Sequence, residues 1–320
     1  MNTVLFVNHS QENCGVHSYG KRVAQIFKGS RKWNVVYAEP GSPSVLAMLV
    51  MALKPAFVIY NYLAQTMAWL DHPTIRLLRN EGVKQGLIVH NIGQAEIFDF
   101  YLHQNPGHPQ DATNFPLFRP LFDYKKKWGS PDTPDAYKVP EKQPPLCIGT
   151  FGFALPEKNY PEICRLVNDQ FDEAEIRMHL TAAHFRPDQG WLEQIKADCD
   201  KAITKPGMRL YITTDFRDDE AILDFLDGND LNVFLYQYFP HYNGLSSVID
   251  YALSVRKPIA VCKSGLFSHI NNAVPSICVE DRPLPEIMQG GFEPVRGFAE
   301  EWSHPNFIRH LEGVLDSLTT

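Results

Sequence analysis

The chain has no Cys-x-x-Cys pair among its six cysteines, so the usual spacing of a structural zinc site is missing. Three of the cysteines, Cys147, Cys262 and Cys278, lie inside apolar strand-like runs, and the expectation is buried reduced thiols in a cytoplasmic protein. Asp-x-Asp, a carboxylate pair suited to a divalent cation, occurs only as Asp198-Cys199-Asp200, which reads as an exposed helix face. No metal ligands and no resident cofactor are expected. Positive charge is not in excess: 30 Lys and Arg stand against 37 Asp and Glu, a net charge of −7 that argues against a protein whose main task is to coat nucleic acid. Met1 to Val7 carries no basic stretch followed by an apolar core, so no secretory leader is expected. The most apolar stretch, Val45 to Leu53, is too short to span a bilayer, which leaves peripheral membrane contact open. There is no low-complexity tract and no short repeat.

What is present is an alternation. At 320 residues, two domains are expected. Apolar runs Val4–Val7, Val35–Tyr37, Phe57–Tyr60 and Leu87–His90 alternate with helical spacings at Tyr19–Phe27, Val45–Leu53 and Thr74–Arg79. Gln104 to Gln143 is rich in Pro, Gly, Asp and Lys and reads as loops and a linker. The alternation restarts at Leu146–Phe151 and continues through strands at Ile176–Leu180, Arg209–Ile212, Asn232–Tyr236 and Pro258–Cys262. Helices separate them, and a last helix is expected over Pro305–Leu318. Continuous apolar strands between helices indicate parallel sheets covered on both faces. The expected class is α/β with two Rossmann-like domains facing a cleft. Their expected limits are residues 1–143 and 144–301, with 302–320 as a helix crossing back to the first domain.

In such sheets ligands sit at the carboxyl ends of the strands. After the strand at Val233–Tyr236 comes a loop ending in Asn243-Gly244, and a helix begins at Leu245-Ser246-Ser247. Helix-start N–H groups beside a glycine suit a diphosphate, and two serine hydroxyls add donors. A second reading stays open: Ser247 and Asp250 form a Ser-x-x-Asp capping box that needs no ligand. After Leu146–Phe151 stands Gly152, and Lys158 follows at the start of the next helix. A lysine there opposes the helix dipole unless an anion sits between them.

These segments resemble the GT-B glycosyltransferases, the retaining family 4 enzymes in particular and a divergent bacterial and phage-borne subgroup of them. Gly152-Phe153-Ala154-Leu155-Pro156-Glu157-Lys158-Asn159 is similar to their Gly-Arg-Leu-x-x-Glu-Lys-Gly segment, with Phe153 in place of the arginine. Val233 to Val261 resembles their donor block, ending in Arg256-Lys257-Pro258-Ile259-Ala260-Val261. Asn13-Cys14-Gly15-Val16-His17 resembles their glycine-rich loop after the first strand. The first glutamate of their Glu-x7-Glu pattern is absent; Asn243 or His241 lies near its place, and Asp250 near that of the second.

The resemblance implies transfer of a sugar from a nucleoside diphosphate sugar, of UDP or GDP type, to a saccharide or lipid-linked acceptor. It implies that Lys158 and the amides of Gly244, Leu245, Ser246 and Ser247 hold the diphosphate without a metal, that Asp250 meets the ribose, and that Thr213, Thr214 and Asp215 meet the base. Gly15 and Gly152 give the ligand room. His90, at a strand end with Asn91 beside it, and His17 are the candidates for contacting the sugar or acting as base; Glu96 and Asp99 are further candidate bases. Each also reads as an ordinary structural residue. Retention is the expected stereochemistry. Phe98, Phe100, Tyr101 and His103 read either as core or as an acceptor groove. Lys125-Lys126-Lys127-Trp128 gives a basis for a different acceptor, a modified base in DNA. A sugar-nucleotide-binding subunit without turnover and an epimerase are two further readings of the same pattern.

Overall fold

The computed structural model describes residues 2–11, 14–80, 82–90, 97–124, 145–182, 190–237 and 244–319. They divide into two compact units. Of the described residues, the first unit takes those within 1–120 and 301–320 together with Gly244, and the second takes those within 121–241 and 245–300.

The first unit runs β1 (Asn2–Val7), α1 (Gly15–Phe27), β2 (Trp33–Ala38), α2 (Pro43–Leu53), β3 (Phe57–Tyr60), α3 (His72–Asn80), β4 (Lys84–Val89), β5 (Phe100–His103) and β6 (Asn114–Pro116). All six strands are parallel, in the order β2-β1-β3-β4-β5-β6. Val4 to Val7 and Phe57 to Tyr60 are buried at every position, as strands covered on both faces require. The chain steps from β1 outward to β2 and then to the other side of β1 for β3. The order therefore reverses between β1 and β3, and Val7 pairs with Ala38 on one side and Tyr60 on the other.

β5 and β6 lie where the sequence suggests a groove and loops. Phe100 is wholly buried in β5 and meets Phe57 edge-on at 5.8 Å. Phe98 is buried as well, with Tyr101 edge-on at 6.2 Å. Phe98 and Phe100 are core, one of the two readings the sequence left open, while Tyr101 and His103 are half-buried. The proline of β6 is accommodated because β6 is an edge strand.

The second unit runs β7 (Cys147–Phe153), a 3-10 turn (Pro156–Lys158), α4 (Tyr160–Gln170), β8 (Ala174–Thr181), α5 (Trp191–Ala202), β9 (Met208–Thr213), α6 (Asp219–Asp227), β10 (Leu231–Phe234), α7 (Val248–Ser254), β11 (Ile259–Val261), α8 (Leu284–Gln289) and α9 (Glu293–Glu301). Its five strands are parallel in the order β11-β10-β7-β8-β9, with the reversal between β7 and β10. The last helix, α10 (His304–Thr319), packs into the first unit: Phe307, Leu311, Val314 and Leu315 share its core with Val4, Phe6, Val23, Phe27 and Phe57. All six cysteines are free; Cys278 is buried, whereas Cys147 and Cys262 are only half-buried because both sit near strand ends. Cys199 is buried in α5, so Asp198-Cys199-Asp200 is not one exposed face.

Candidate functional site

In the second unit the reversal lies between the carboxyl ends of β7 and β10, where open α/β sheets take their ligands. Tyr236, two residues past β10, is buried, and its hydroxyl donates to the Phe151 carbonyl at 3.3 Å. The Tyr160 hydroxyl donates to the Phe153 carbonyl at 2.9 Å. Gly152 stands between those two carbonyls with φ of +151°, a conformation side chains other than hydrogen rarely adopt. A Cβ there would lie 2.9 Å from the Tyr160 hydroxyl and 3.1 Å from that of Tyr236. Lys158 closes the 3-10 turn and sets its ammonium 3.4 Å from the centroid of the Tyr236 ring, a cation–π contact. The Gln237 N–H donates to the Glu157 carbonyl at 2.8 Å and ties the two loops together. Ser246 is hydrogen-bonded to the Tyr236 hydroxyl, whose pKa burial pushes well above the ordinary value. Gly152, Lys158 and Ser246 thus meet around Tyr236, a residue the apolar strand pattern hides.

The helix start is different from the expectation. α7 has seven residues, and its N-cap Ser247 is in the right-handed helical region with no side-chain cap. The Asp250 N–H donates to the Ser247 carbonyl at 3.0 Å, so there is no capping box. The Ser246 N–H donates to the Leu266 carbonyl at 3.0 Å and is not presented to a diphosphate. Asp250 is wholly buried. The reason is packing: Val248, Ile249, Asp250, Ala252, Leu253 and Ser254 are all buried, so this short helix has no open face on that side. Gly244, Leu245 and Ser247 are half-buried. Asn243 and His241 lie outside the described residues.

Thr213 ends β9 and is exposed, its Oγ1 2.9 Å from His179 Nδ1 and accepting from Arg217 at 3.4 Å. Asp215 is exposed and pairs with Arg217 at 3.4 Å; its own backbone N–H first, and then Arg217, hold its carboxyl below the usual range. Arg217 stands 5.6 Å from the Phe225 ring centroid, and no motif in the sequence marks it. β9 is the edge strand, two places from β7, so the sheet order sets this group apart from Lys158.

In the first unit His90 is part of a continuous network. Asn61 donates its amide to Asn8 Oδ1 at 2.8 Å and to the Val16 carbonyl at 2.8 Å. Its Oδ1 accepts from His90 Nε2 at 2.6 Å, and His90 Nδ1 accepts from the Gln104 side-chain amide. Burial, then Arg119 and His9, push the His90 pKa down to about 3. The His90 imidazole is thus neutral and buried, with both ring nitrogens engaged. His17 is buried with Nε2 2.8 Å from Glu39 Oε1, and the Tyr37 hydroxyl donates to the same oxygen at 2.5 Å. Burial raises the Glu39 carboxyl, but Tyr37, His17 and Lys21 together hold it below its usual range. Asn8 joins the two halves by donating to the Tyr37 hydroxyl at 2.9 Å. Gly20 allows α1 onto this network: a Cβ there would lie 2.2 Å from Asn61 Nδ2. Gly15 is exposed at the start of α1, and nothing lies within 4 Å of a Cβ built there. Asp99 is paired with Arg79 at 2.6 Å and accepts from the Gln85 N–H at 2.8 Å. Asn91, Glu96, Asn13 and Lys125 to Trp128 lie outside the described residues. Among the described residues no cluster of three His, Cys, Asp or Glu is disposed to hold a metal ion, and no helix is long and apolar enough to cross a membrane.

Neither a family model nor any curated protein matches this sequence. Solved structures do. HepE of Anabaena, in complex with UDP and glucose, is similar with a TM-score of 0.63 at 13% identity over 99% of this chain and 100% of that one. A glycosyltransferase from Rickettsia africae is similar with a TM-score of 0.65 at 11% identity over 99% of this chain and 98% of that one. The E. coli trehalose-6-phosphate structure bound with UDP-2-fluoro glucose is similar with a TM-score of 0.60 at 9% identity over 99% of each chain. The fold class of this chain is therefore α/β with two Rossmann-like units, that of the GT-B glycosyltransferases.

Proposed function

We propose that this chain is a glycosyltransferase that takes a sugar from a UDP-type nucleotide sugar and passes it to a saccharide or lipid-linked acceptor with retention at the anomeric carbon. The observation that carries this reading is the lysine held over Tyr236 beside Gly152, at the order reversal of the second sheet. Whole-length likeness to HepE with UDP and glucose supports the same reading. As a sugar leaves its nucleotide, negative charge builds on the diphosphate. A preorganised ammonium stabilises that charge most where it is already held in place. Lys158 supplies this countercharge, and Gly152 makes room for the hydroxyl of Tyr236, the ring over which the ammonium sits. His90 has no ring nitrogen to spare. That favours a course in which the departing phosphate, rather than this imidazole, takes the acceptor proton. Because the countercharge is a lysine, chelation with EDTA leaves turnover unchanged.

Calorimetric titration with UDP tests the reading. Wild-type protein binds UDP, and Lys158→Ala weakens binding by about 1.5–3 kcal/mol, the worth of a charge-assisted contact. Equal affinity in the two proteins removes Lys158 from the site.

A further inference from the structure

The two edges of the second sheet are finished differently. On the β11 side, Val261 makes a parallel bridge to Cys278, so the chain itself closes that edge. On the β9 side nothing pairs with the strand among the described residues. β9 is six residues long, keeps an unbroken register with β8 and contains neither proline nor lysine, the residues that commonly blunt an open edge. The Ala174 N–H donates to the Gly207 carbonyl, which fixes the phase of the β8–β9 ladder. Arg209, Tyr211 and Thr213 therefore turn their backbone groups toward β8, and the N–H and C=O groups of Leu210 and Ile212 point away from the sheet. The side chains alternate as well. Met208 is buried and Leu210 and Ile212 are half-buried on one face, while Arg209, Tyr211 and Thr213 are exposed on the other. Tyr211 is 49% exposed and Phe216, just past the strand, 70%. Aromatic rings are what contact surfaces are enriched in.

A second copy of the same strand fits this edge. In an antiparallel pair centred on Tyr211, Leu210 of one copy stands opposite Ile212 of the other, and their open N–H and C=O groups meet as hydrogen-bonded pairs. Tyr211 then faces its own counterpart at the non-hydrogen-bonded position, where side chains come closest and aromatic pairs stabilise the ladder. Arg209 stands opposite Thr213 and diagonal to Asp215 of the second copy, so its charge meets a hydroxyl and a carboxylate. Both charges are exposed: Arg209 lies 4.0 Å from Glu175, and Asp215 lies 3.4 Å from Arg217. A pair centred on Arg209 would instead set two guanidiniums face to face. An extended peptide of another sequence would meet the same backbone row without this self-matching order of ring and charge.

We propose that β9 is a dimerisation edge, where two copies of this chain join through an antiparallel β9–β9 pair centred on Tyr211 into one continuous sheet. This pairing uses no part of the proposed function. Sedimentation velocity on the full chain, followed by oxidative cross-linking, tests it. Wild-type protein at high micromolar concentration sediments at twice the chain mass. Tyr211→Lys sets two ammoniums opposite each other on the two-fold axis and raises the dissociation constant about tenfold or more. Tyr211→Cys places two thiols at the closest cross-strand position, and mild oxidation links two chains there. Arg209→Cys is out of register with its own counterpart and stays unlinked, as does the wild type with its six free cysteines. Both substituted positions are exposed, so these variants remove no core contact. A wild-type monomer under these conditions, a dimer that Tyr211→Lys leaves intact, or cross-linking of Arg209→Cys in place of Tyr211→Cys overturns the pairing.

Discussion

Gly152 answers two demands at one position: a φ of +151° and two tyrosine hydroxyls within 3.1 Å of where a Cβ would stand. Gly152→Ala is therefore expected to cost about 1–3 kcal/mol of stability, read from the urea midpoint, before any ligand is added. The histidines make a second prediction. His90 and His9 titrate near 6.5 when unfolded and at about 3 and about 4 when folded. Below the unfolded value the unfolded chain binds protons that the fold refuses. Their neutral burial is thus compatible with full stability above about pH 6.5, and stability falls as pH drops toward the folded values, by about 1.4 kcal/mol per pH unit for each ring. Urea denaturation across that window checks the slope, and His90→Gln should remove its share. Of the residues involved, Gly152 and Lys158 were legible in the sequence because a strand-end glycine and a lysine at a helix start are local signals. Tyr236 was not, since an aromatic in an apolar run looks like core. His17 and Glu39, 2.8 Å apart, become neighbours only through the packing of α1 and the pairing of β1 with β2, which no local pattern encodes.

Helix caps separate elements that look alike in sequence. The Asp218 carboxylate accepts the Ala221 N–H at 2.8 Å and caps α6, so Asp218→Ala should cost about 1 kcal/mol in a thermal or urea melt. Ser247 precedes α7 with no side-chain cap, and Ser247→Ala should stay within about 0.5 kcal/mol of wild type. A Ser-x-x-Asp pattern reads as a capping box at both the level of spacing and of residue type, yet Asp250 is drawn inside because a seven-residue helix is packed along its length. The same limit applies to strands. The continuous apolar run Phe57–Tyr60 was readable with its bounds, while β5 alternates buried and half-buried positions over four residues and the edge strand β6 has only three, so neither stands out from loops.

At the scale of the molecule, alternation of strands and helices made parallel sheets legible, but not the strand orders, whose reversals locate the residues of interest. The carboxyl-terminal α10 shares the first unit's core, and Phe307 is wholly buried there. Phe307→Ala should cost that unit about 3–5 kcal/mol, measured as the loss of protection of β1 and β3 amides to hydrogen exchange. The central claim is donor turnover dependent on Lys158. The most direct test is UDP release from a panel of UDP-sugars by the full chain, in the presence of EDTA, for wild type and Lys158→Ala. Wild type should release UDP from at least one donor, and the variant should be slower by about tenfold or more. A chain that binds and cleaves none of them, or a variant that turns over at the wild-type rate, would contradict it.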